Sequence, residues 1–252
     1  MLPTYAPLQI TYDRNVLLSE LLIACSPYLK NTALFRKPAR RYHEEGKKYN
    51  LSVCSDEELE QLTLHYLNES GNRCESIGAY NSWQTMNLTY HPADEETKWI
   101  NHRKIGNAQP VPLRELHPEA WEWREEITNN IPVLKSIIND LEFKYINQLR
   151  LLIMHPPSFA GLHIDSYSDT EFFNKGFTAI TLNIDSGGGD LVFLSKNNTP
   201  SKTDSSILAW HFIDNCLHGV TKCNGIRVQL RIIGKTTISK YKALMNLDKA
   251  IW

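Results

Sequence analysis

Apolar residues keep helical spacing in the first part of the chain and strand-like alternation in the last. Val16, Leu17, Leu21, Leu22 and Cys25 predict a helix over Asn15 to Leu29 that stops at Ser26-Pro27, because proline has no amide hydrogen to continue the ladder. Ser55-Asp56-Glu57-Glu58 is a capping box ahead of Leu59, Leu62, Leu64 and Leu67, so a second helix is expected there, broken by Gly71. Between them, Phe35 to Asn50 is basic and polar without a period and reads as a loop. From Ile77 the character changes. Tyr80 to Tyr90 is aromatic and β-branched, a strand ending at His91-Pro92. Helices are predicted over Pro118 to Asn129 and Ile131 to Phe143, the second with Val133, Leu134, Ile137, Ile138 and Leu141 on one face. Strands then follow at Leu149 to Met154, Gly161 to Asp165, Phe177 to Ile184, Leu191 to Ser195, Ile207 to Ile213 and Ile226 to Gly234, with a terminal helix over Ser239 to Asp248. Short strands after helices, separated by turn clusters at Pro156-Pro157 and Ser186 to Gly189, predict an α+β chain built on a β-sandwich or jelly roll flanked by helices. The expected boundary divides a helical region, 1–76, packed on the core, from a β domain with a C-terminal helix, 77–252.

The last strand is two-faced. Arg227, Gln229 and Arg231 alternate with Val228, Leu230 and Ile232, so one face is polar and the other apolar. On an edge strand the polar face would meet solvent. Here it shares a segment with candidate metal ligands, which favours an interior cavity whose polar groups a bound anion satisfies.

Those ligands lie upstream. In an extended strand His163 and Asp165 of Gly161-Leu162-His163-Ile164-Asp165 point to the same side and can close on one cation. His218 arrives later, after short strands that fold the chain back. Two imidazoles and a carboxylate on one face of a metal leave other positions open, the donor set of non-haem Fe(II) oxygenases. Arg227 follows on the next strand, where a planar guanidinium suits the far carboxylate of a bidentate 2-oxo acid. Arg150 and Arg231 are further candidate carboxylate anchors, for the co-substrate or the substrate. Leu162, Trp210 and Phe212 are candidate apolar walls, and His155, Tyr167 and Asp169 candidate lining. His211 and Trp210 alternate, so only one of them faces the metal.

Composition narrows the partners. With 252 residues, 42% hydrophobic and 22% charged, the chain can bury a full core in one large domain, with or without a helical extension. A net charge of −1 argues against a nucleic-acid surface as the main function. The longest apolar run, Val16 to Cys25, is too short to cross a bilayer, and the start of the chain has no basic segment leading an apolar one, so no signal peptide is expected. Cys25, Cys54, Cys74, Cys216 and Cys223 are odd in number and irregularly spaced, which suggests reduced thiols and a cytoplasmic protein. A homodimer is the default expectation for assembly.

The run Leu149 to Asp165, taken without a gap, resembles the strand-loop-strand entry of the aspartyl/asparaginyl β-hydroxylase-like enzymes, nearest the branch containing proline cis-4-hydroxylase, with an Arg at its start and His-x-Asp at its end. Phe177 to Asp185 resembles the family's central strand, Trp210 the Trp before the second ligand loop, and His218 and Arg227 its distal His and co-substrate Arg. The resemblance covers roughly 77–234. It implies a double-stranded β-helix, a cupin-like jelly roll, with Fe(II), 2-oxoglutarate as co-substrate and O2, in which His163, Asp165 and His218 hold the metal. The implied reaction hydroxylates an unactivated C–H, with succinate and CO2 as co-products. Two departures stand out: Ala179 and Thr181 replace an Arg and a His of the central strand, and His218 to Arg227 is one residue shorter than in the nearest branch. Three readings stay open. The substrate is a free amino acid or small derivative, or it is an Asp, Asn or other residue within a peptide or carrier-bound chain, or the protein is a cupin-like metal or ligand-binding jelly roll without oxygenase chemistry.

Overall fold

The computed structural model describes residues 2–29, 83–98, 102–103, 111–156, 158–163, 176–195, 200–213, 216 and 218–252. The helix expected after Ser55, the basic loop at Phe35 to Asn50, and Asp165, Tyr167 and Asp169 lie outside the described residues. Two antiparallel sheets carry the fold. The larger has the order β1 (Tyr5–Pro7), β12 (Ala209–Phe212), β9 (Phe177–Asp185), β14 (Arg227–Lys235), β7 (Tyr145–Met154) and β2 (Trp83–Asn87). The smaller has the order β11 (Pro200–Lys202), β10 (Leu191–Leu194), β13 (His218–Cys223) and β8 (Ser158–His163). A short ribbon pairs β3 (Thr89–Tyr90) with β6 (Glu122–Trp123), and a second pairs β4 (His102–Arg103) with β5 (Val111–Pro112).

Alternation along the strands decides what each face of the large sheet meets. Val228, Leu230 and Ile232 of β14 line up with Leu149, Leu151 and Ile153 of β7 and Ile180, Leu182 and Ile184 of β9. This apolar face packs under helix α1 (Arg14–Leu29), through Leu17 and Leu21, and helix α2 (Pro132–Asp140), through Leu134, Ile137 and Ile138. Each fully buried side chain of this kind is worth about 1.5–3 kcal/mol, so this layer is the main stabilising core. The other face turns toward the smaller sheet. Tyr5, Met154, Trp210 and Phe212 from the large sheet pack with Leu191, Phe193, Val220 and Cys223 from the small one. Phe193 and Phe212 meet edge-to-face at 5.3 Å across the layer.

Most predicted strands are present, and the differences have local causes. The helix expected over Pro118 to Asn129 is instead the strand β6 and a single helical turn, Glu125–Thr128. Main-chain pairing outcompetes helix there: Trp121 N–H donates to Ile146 O, and Arg124 N–H to Leu88 O. Helix α1 runs through Pro27 to Leu29, with the proline in its last turn, where the Ile23 carbonyl loses its amide partner and little helix remains to be disturbed. Tyr5–Pro7, carrying no strand signal of its own length, pairs with β12 and becomes an edge of the large sheet. No helix among the described residues is long and apolar enough to cross a membrane.

Helix α2 has no side-chain cap from its own N-cap residue, Ile131. Glu20 of α1 supplies it: its carboxylate oxygens accept the N–H groups of Val133 and Leu134 at 2.7 and 2.8 Å. A carboxylate at a helix N-terminus satisfies orphan donors and complements the dipole. Glu20→Ala should therefore lower the unfolding free energy by about 1–2 kcal/mol. Urea denaturation followed by circular dichroism measures it, and a midpoint equal to wild type would mean that solvent caps α2 equally well.

Candidate functional site

The site is built from strand register. His218 at the start of β13 pairs directly with His163 at the end of β8, and on its other side with Phe193 of β10. His218 is buried, and its ring meets Phe212 of the large sheet edge-on at 5.2 Å, so it faces the layer between the sheets. His163 occupies the register position opposite it; for β8 only the backbone path is described. Asp165, two residues on, and the side chain of Leu162 lie outside what is described.

The chemistry of His218 follows from one hydrogen bond. Its Nδ1 lies 2.9 Å from Cys216 O, and a carbonyl only accepts, so Nδ1 carries the proton. The neutral ring then keeps its lone pair on Nε2, the arrangement that metal-binding histidines use. His211 is different. Its Nε2 donates to Pro3 O at 3.0 Å, and its Nδ1 accepts from the Tyr241 hydroxyl at 2.6 Å, so both nitrogens are spent on holding the N-terminal segment and the helix Ile238–Ala243. Trp210 and Phe212, not His211, face the interior. His155 also points away, with Nε2 2.8 Å from Gln84 Oε1 on β2.

Across the layer from His218 stands the polar face of β14. Arg227, Gln229 and Arg231 are 5%, 5% and 7% exposed. Gln229 donates to Asn183 Oδ1, and Asn183 donates to the Ser205 and Ile207 carbonyls, so these two amides tie β14 to β9 and a neighbouring turn. Arg231 lies directly opposite Arg150 of β7 and Thr181 of β9. Four residues along β14, about 13 Å away, Arg227 sits near Met154 and Cys223.

Arg227 carries a charge that the described protein does not balance. Its Nη1 reaches the Met154 sulfur at 3.8 Å, and its Nε is buried without a hydrogen-bond partner among the described residues. Cys223 gives no counter-charge, because burial pushes its thiol up. Asp190 acts on Arg227 only through space. Desolvation brings the guanidinium down to about 10, well below its ordinary value. The contrast is Arg124, 1% exposed, which is held by Glu126 at 2.6 and 2.8 Å. The start of β14 is fixed by a close approach of two turns: Gly187 O accepts from Asn224 N–H and Gly225 N–H, and a Cβ on Gly187 would lie 2.6 Å from Gly225 O.

A second group of metal-capable side chains, His91, His117 and Glu119, lies at the Tyr145 end of β7, the end opposite Met154. Sequence reasoning passed over it. The signal was His117-Pro118-Glu119, which has the same one-residue spacing as His163 and Asp165 but was absorbed into the start of an expected helix.

No family model matches this chain, and no curated protein does. Solved structures do. The chain is similar to an oxidoreductase of the 2OG-Fe(II) oxygenase family from Burkholderia pseudomallei, at 14% identity over 61% of this chain and 69% of that one, TM-score 0.35. It is also similar to a Pseudomonas putida prolyl-4-hydroxylase, at 9% identity over 78% and 98%, TM-score 0.33. A third is a Trichoplax adhaerens prolyl hydroxylase in complex with a hypoxia inducible factor peptide fragment, at 13% identity over 77% and 84%, TM-score 0.31. At such overlap the functional reading rests on the side chains of this chain alone.

The buried charge of Arg227 sets a stability test. Because its folded pKa lies below its unfolded one, the charged form is penalised at every pH below about 10, and the penalty lifts only as pH rises above that. At neutral pH that cost is about 3 kcal/mol. Arg227→Met should leave the thermal midpoint at or above wild type near pH 7.5. A clear drop in midpoint without ligand would mean that Arg227 has a structural counter-ion.

Proposed function

We propose that this protein is an Fe(II)- and 2-oxoglutarate-dependent oxygenase with a double-stranded β-helix core, acting on an unactivated C–H of a free amino acid or small derivative. One observation carries the reading: His163 and His218 sit on paired register positions at one wall of an interior whose facing wall carries the unbalanced Arg227. The donors suit the metal. His163, Asp165 and His218 would supply two imidazoles and a carboxylate, a set that takes Fe(II) and leaves positions for a chelating co-substrate. Bound there, Fe(II) with 2-oxoglutarate and O2 supplies the oxidising power, giving succinate, CO2 and one oxygen atom inserted at carbon.

The rest is done by the chain itself. The Cys216 carbonyl holds His218 in the tautomer that presents Nε2. Arg227 takes the far carboxylate of the oxo acid, and the ion pair formed offsets the desolvation the guanidinium already bears. Phe212 and Trp210, with Phe193 and Tyr5 beside them, form an apolar wall that keeps bulk water from the reacting centre. Arg231 and Arg150, on opposed positions, suit the α-carboxylate of a free amino acid, which favours a small substrate over a residue inside a peptide.

The test is succinate release with Fe(II), 2-oxoglutarate and a panel of amino acids and short peptides, with mass detection of one added oxygen. His163→Ala and His218→Ala should each abolish turnover with the circular dichroism spectrum unchanged. Arg227→Ala should raise the apparent KM for 2-oxoglutarate, by about 10- to 100-fold for a lost charge-assisted contact. Undiminished turnover in His163→Ala would reject the ligand set. A gain of oxygen confined to peptides would move the substrate class.

A further inference from the structure

The turn that follows β3 and the segment before β6 bring four polar side chains together outside the sandwich. His91 and His117 stack at 4.2 Å with their rings 16° apart. Glu119 Oε1 lies 2.5 Å from His91 Nε2 and 3.9 Å from His117 Nδ1. Donor atoms of all three lie within 4.8 Å of one another. The other nitrogen of His117, Nε2, lies 3.1 Å from Asp94 Oδ2. Since a carboxylate accepts, His117 Nε2 carries the proton and Nδ1 keeps its lone pair toward Glu119, whereas His91 Nε2, hydrogen-bonded to Glu119, carries a proton that a bound metal ion would displace to solvent. Carboxylate, imidazole and an inward lone pair are the arrangement by which an outer carboxylate orients a metal-bound histidine.

The scaffold around these groups is fixed. Asn147, buried on β7, donates to the carbonyls of His117 and Glu119, Trp121 Nε1–H to that of His117, and the Tyr145 hydroxyl to that of Pro118. On the other side, Thr97 Oγ1 accepts from His91 N–H and donates to Asp94 O, closing the turn. His91 is nine-tenths buried, and its Nδ1 has no hydrogen-bond partner among the described residues. Glu119 is half exposed, so the cluster is open to solvent on one side. Ligand atoms around a tetrahedral ion with bonds of about 2.0–2.1 Å are spaced about 3.3 Å apart, between the two distances Glu119 now keeps.

We propose that His91 Nε2, His117 Nδ1 and the Glu119 carboxylate form a divalent-metal site of the Zn2+ class, with Asp94 orienting His117, separate from the interior site and sharing no residue with it. Two imidazoles and a carboxylate with a solvent-facing position suit a borderline transition cation over Mg2+ or Ca2+, which prefer oxygen alone. The ion would pin the turn after β3 to the segment leading into β6, two loop regions that otherwise meet only through side chains.

The full chain, stripped with chelator, is titrated with Zn2+ by calorimetry and the bound metal counted by mass spectrometry. Wild type should bind one equivalent that survives His218→Ala and is lost in His117→Gln and in Glu119→Gln, the latter at an exposed position that does not threaten folding. Asp94→Asn should weaken that equivalent by about 10- to 100-fold. Co2+ substitution gives a second readout: in the His218→Ala background, a visible absorption band that the added Glu119→Gln change removes. Unchanged stoichiometry and affinity in both ligand variants, or metal binding that disappears only with His218→Ala, overturns the site. If the equivalent lost with Glu119→Gln is the only one, this site stands and the interior oxygenase reading falls.

Discussion

Strand β14 must satisfy two solvents at once, and the architecture follows from that. Its Val228, Leu230 and Ile232 face needs helices to cover it, and α1 and α2 do so. Its Arg227, Gln229 and Arg231 face is equally withdrawn from water, by a second sheet. Burying an ion costs several kcal/mol, against a total folding stability of about 5–15 kcal/mol. A structural protein has no reason to keep such a face where Met or Leu would pack better. This fold shows what it does with an arginine that only supports structure: Arg124 receives Glu126. Arg227 receives a thioether. On the proposed reading, that difference marks the face where an anion would bind.

Imidazole orientation is decided by backbone carbonyls, which can only accept. Cys216 O takes one proton from His218 and determines which nitrogen keeps a lone pair. Pro3 O does the same to His211, but there the second nitrogen accepts the Tyr241 hydroxyl, and that histidine is a strut between the N-terminal segment and the last helix. Burial is the same for both rings to within a few per cent. Hydrogen-bond partners, not burial, separate the two.

Much of this was legible in the sequence, and the parts that were not share a cause. The alternation in Ile226 to Gly234 declared a two-faced strand, and burial of both faces was inferable from the chemistry nearby. The strands at Phe177 and Leu191 and the helix at Pro132 had enough periodic residues to be read. The segment at Pro118 was misread because apolar spacing was counted without asking where its amides would bond, and β3, Leu88 and Ile146 offered better partners. Tyr5–Pro7 is too short to show a period at all. His218 was read as a ligand without its strand, since His-Gly-Val-Thr-Lys-Cys lacks clean alternation and its pairing with β8 shifts register twice. The pairing of His218 with His163 is a contact between segments far apart in sequence, which only folding makes visible.

The two histidine-carboxylate sets also show why a donor list does not determine chemistry. The proposed interior ligands and the outer group are each two histidines and one acidic residue. On the interior side, His218 lies beside Phe212, Trp210 and Phe193 and across from Arg227, surroundings that on the proposed reading would take an anionic co-substrate away from bulk water. The outer set meets solvent through Glu119 and carries Asp94 as its nearest further charge, an anion that would repel a second carboxylate at the metal. On the proposed reading, Coulomb interaction separates the roles: a guanidinium in low dielectric would draw an oxo acid to the interior, whereas the Asp94 carboxylate would turn one away outside, where a bound cation would instead hold two loops.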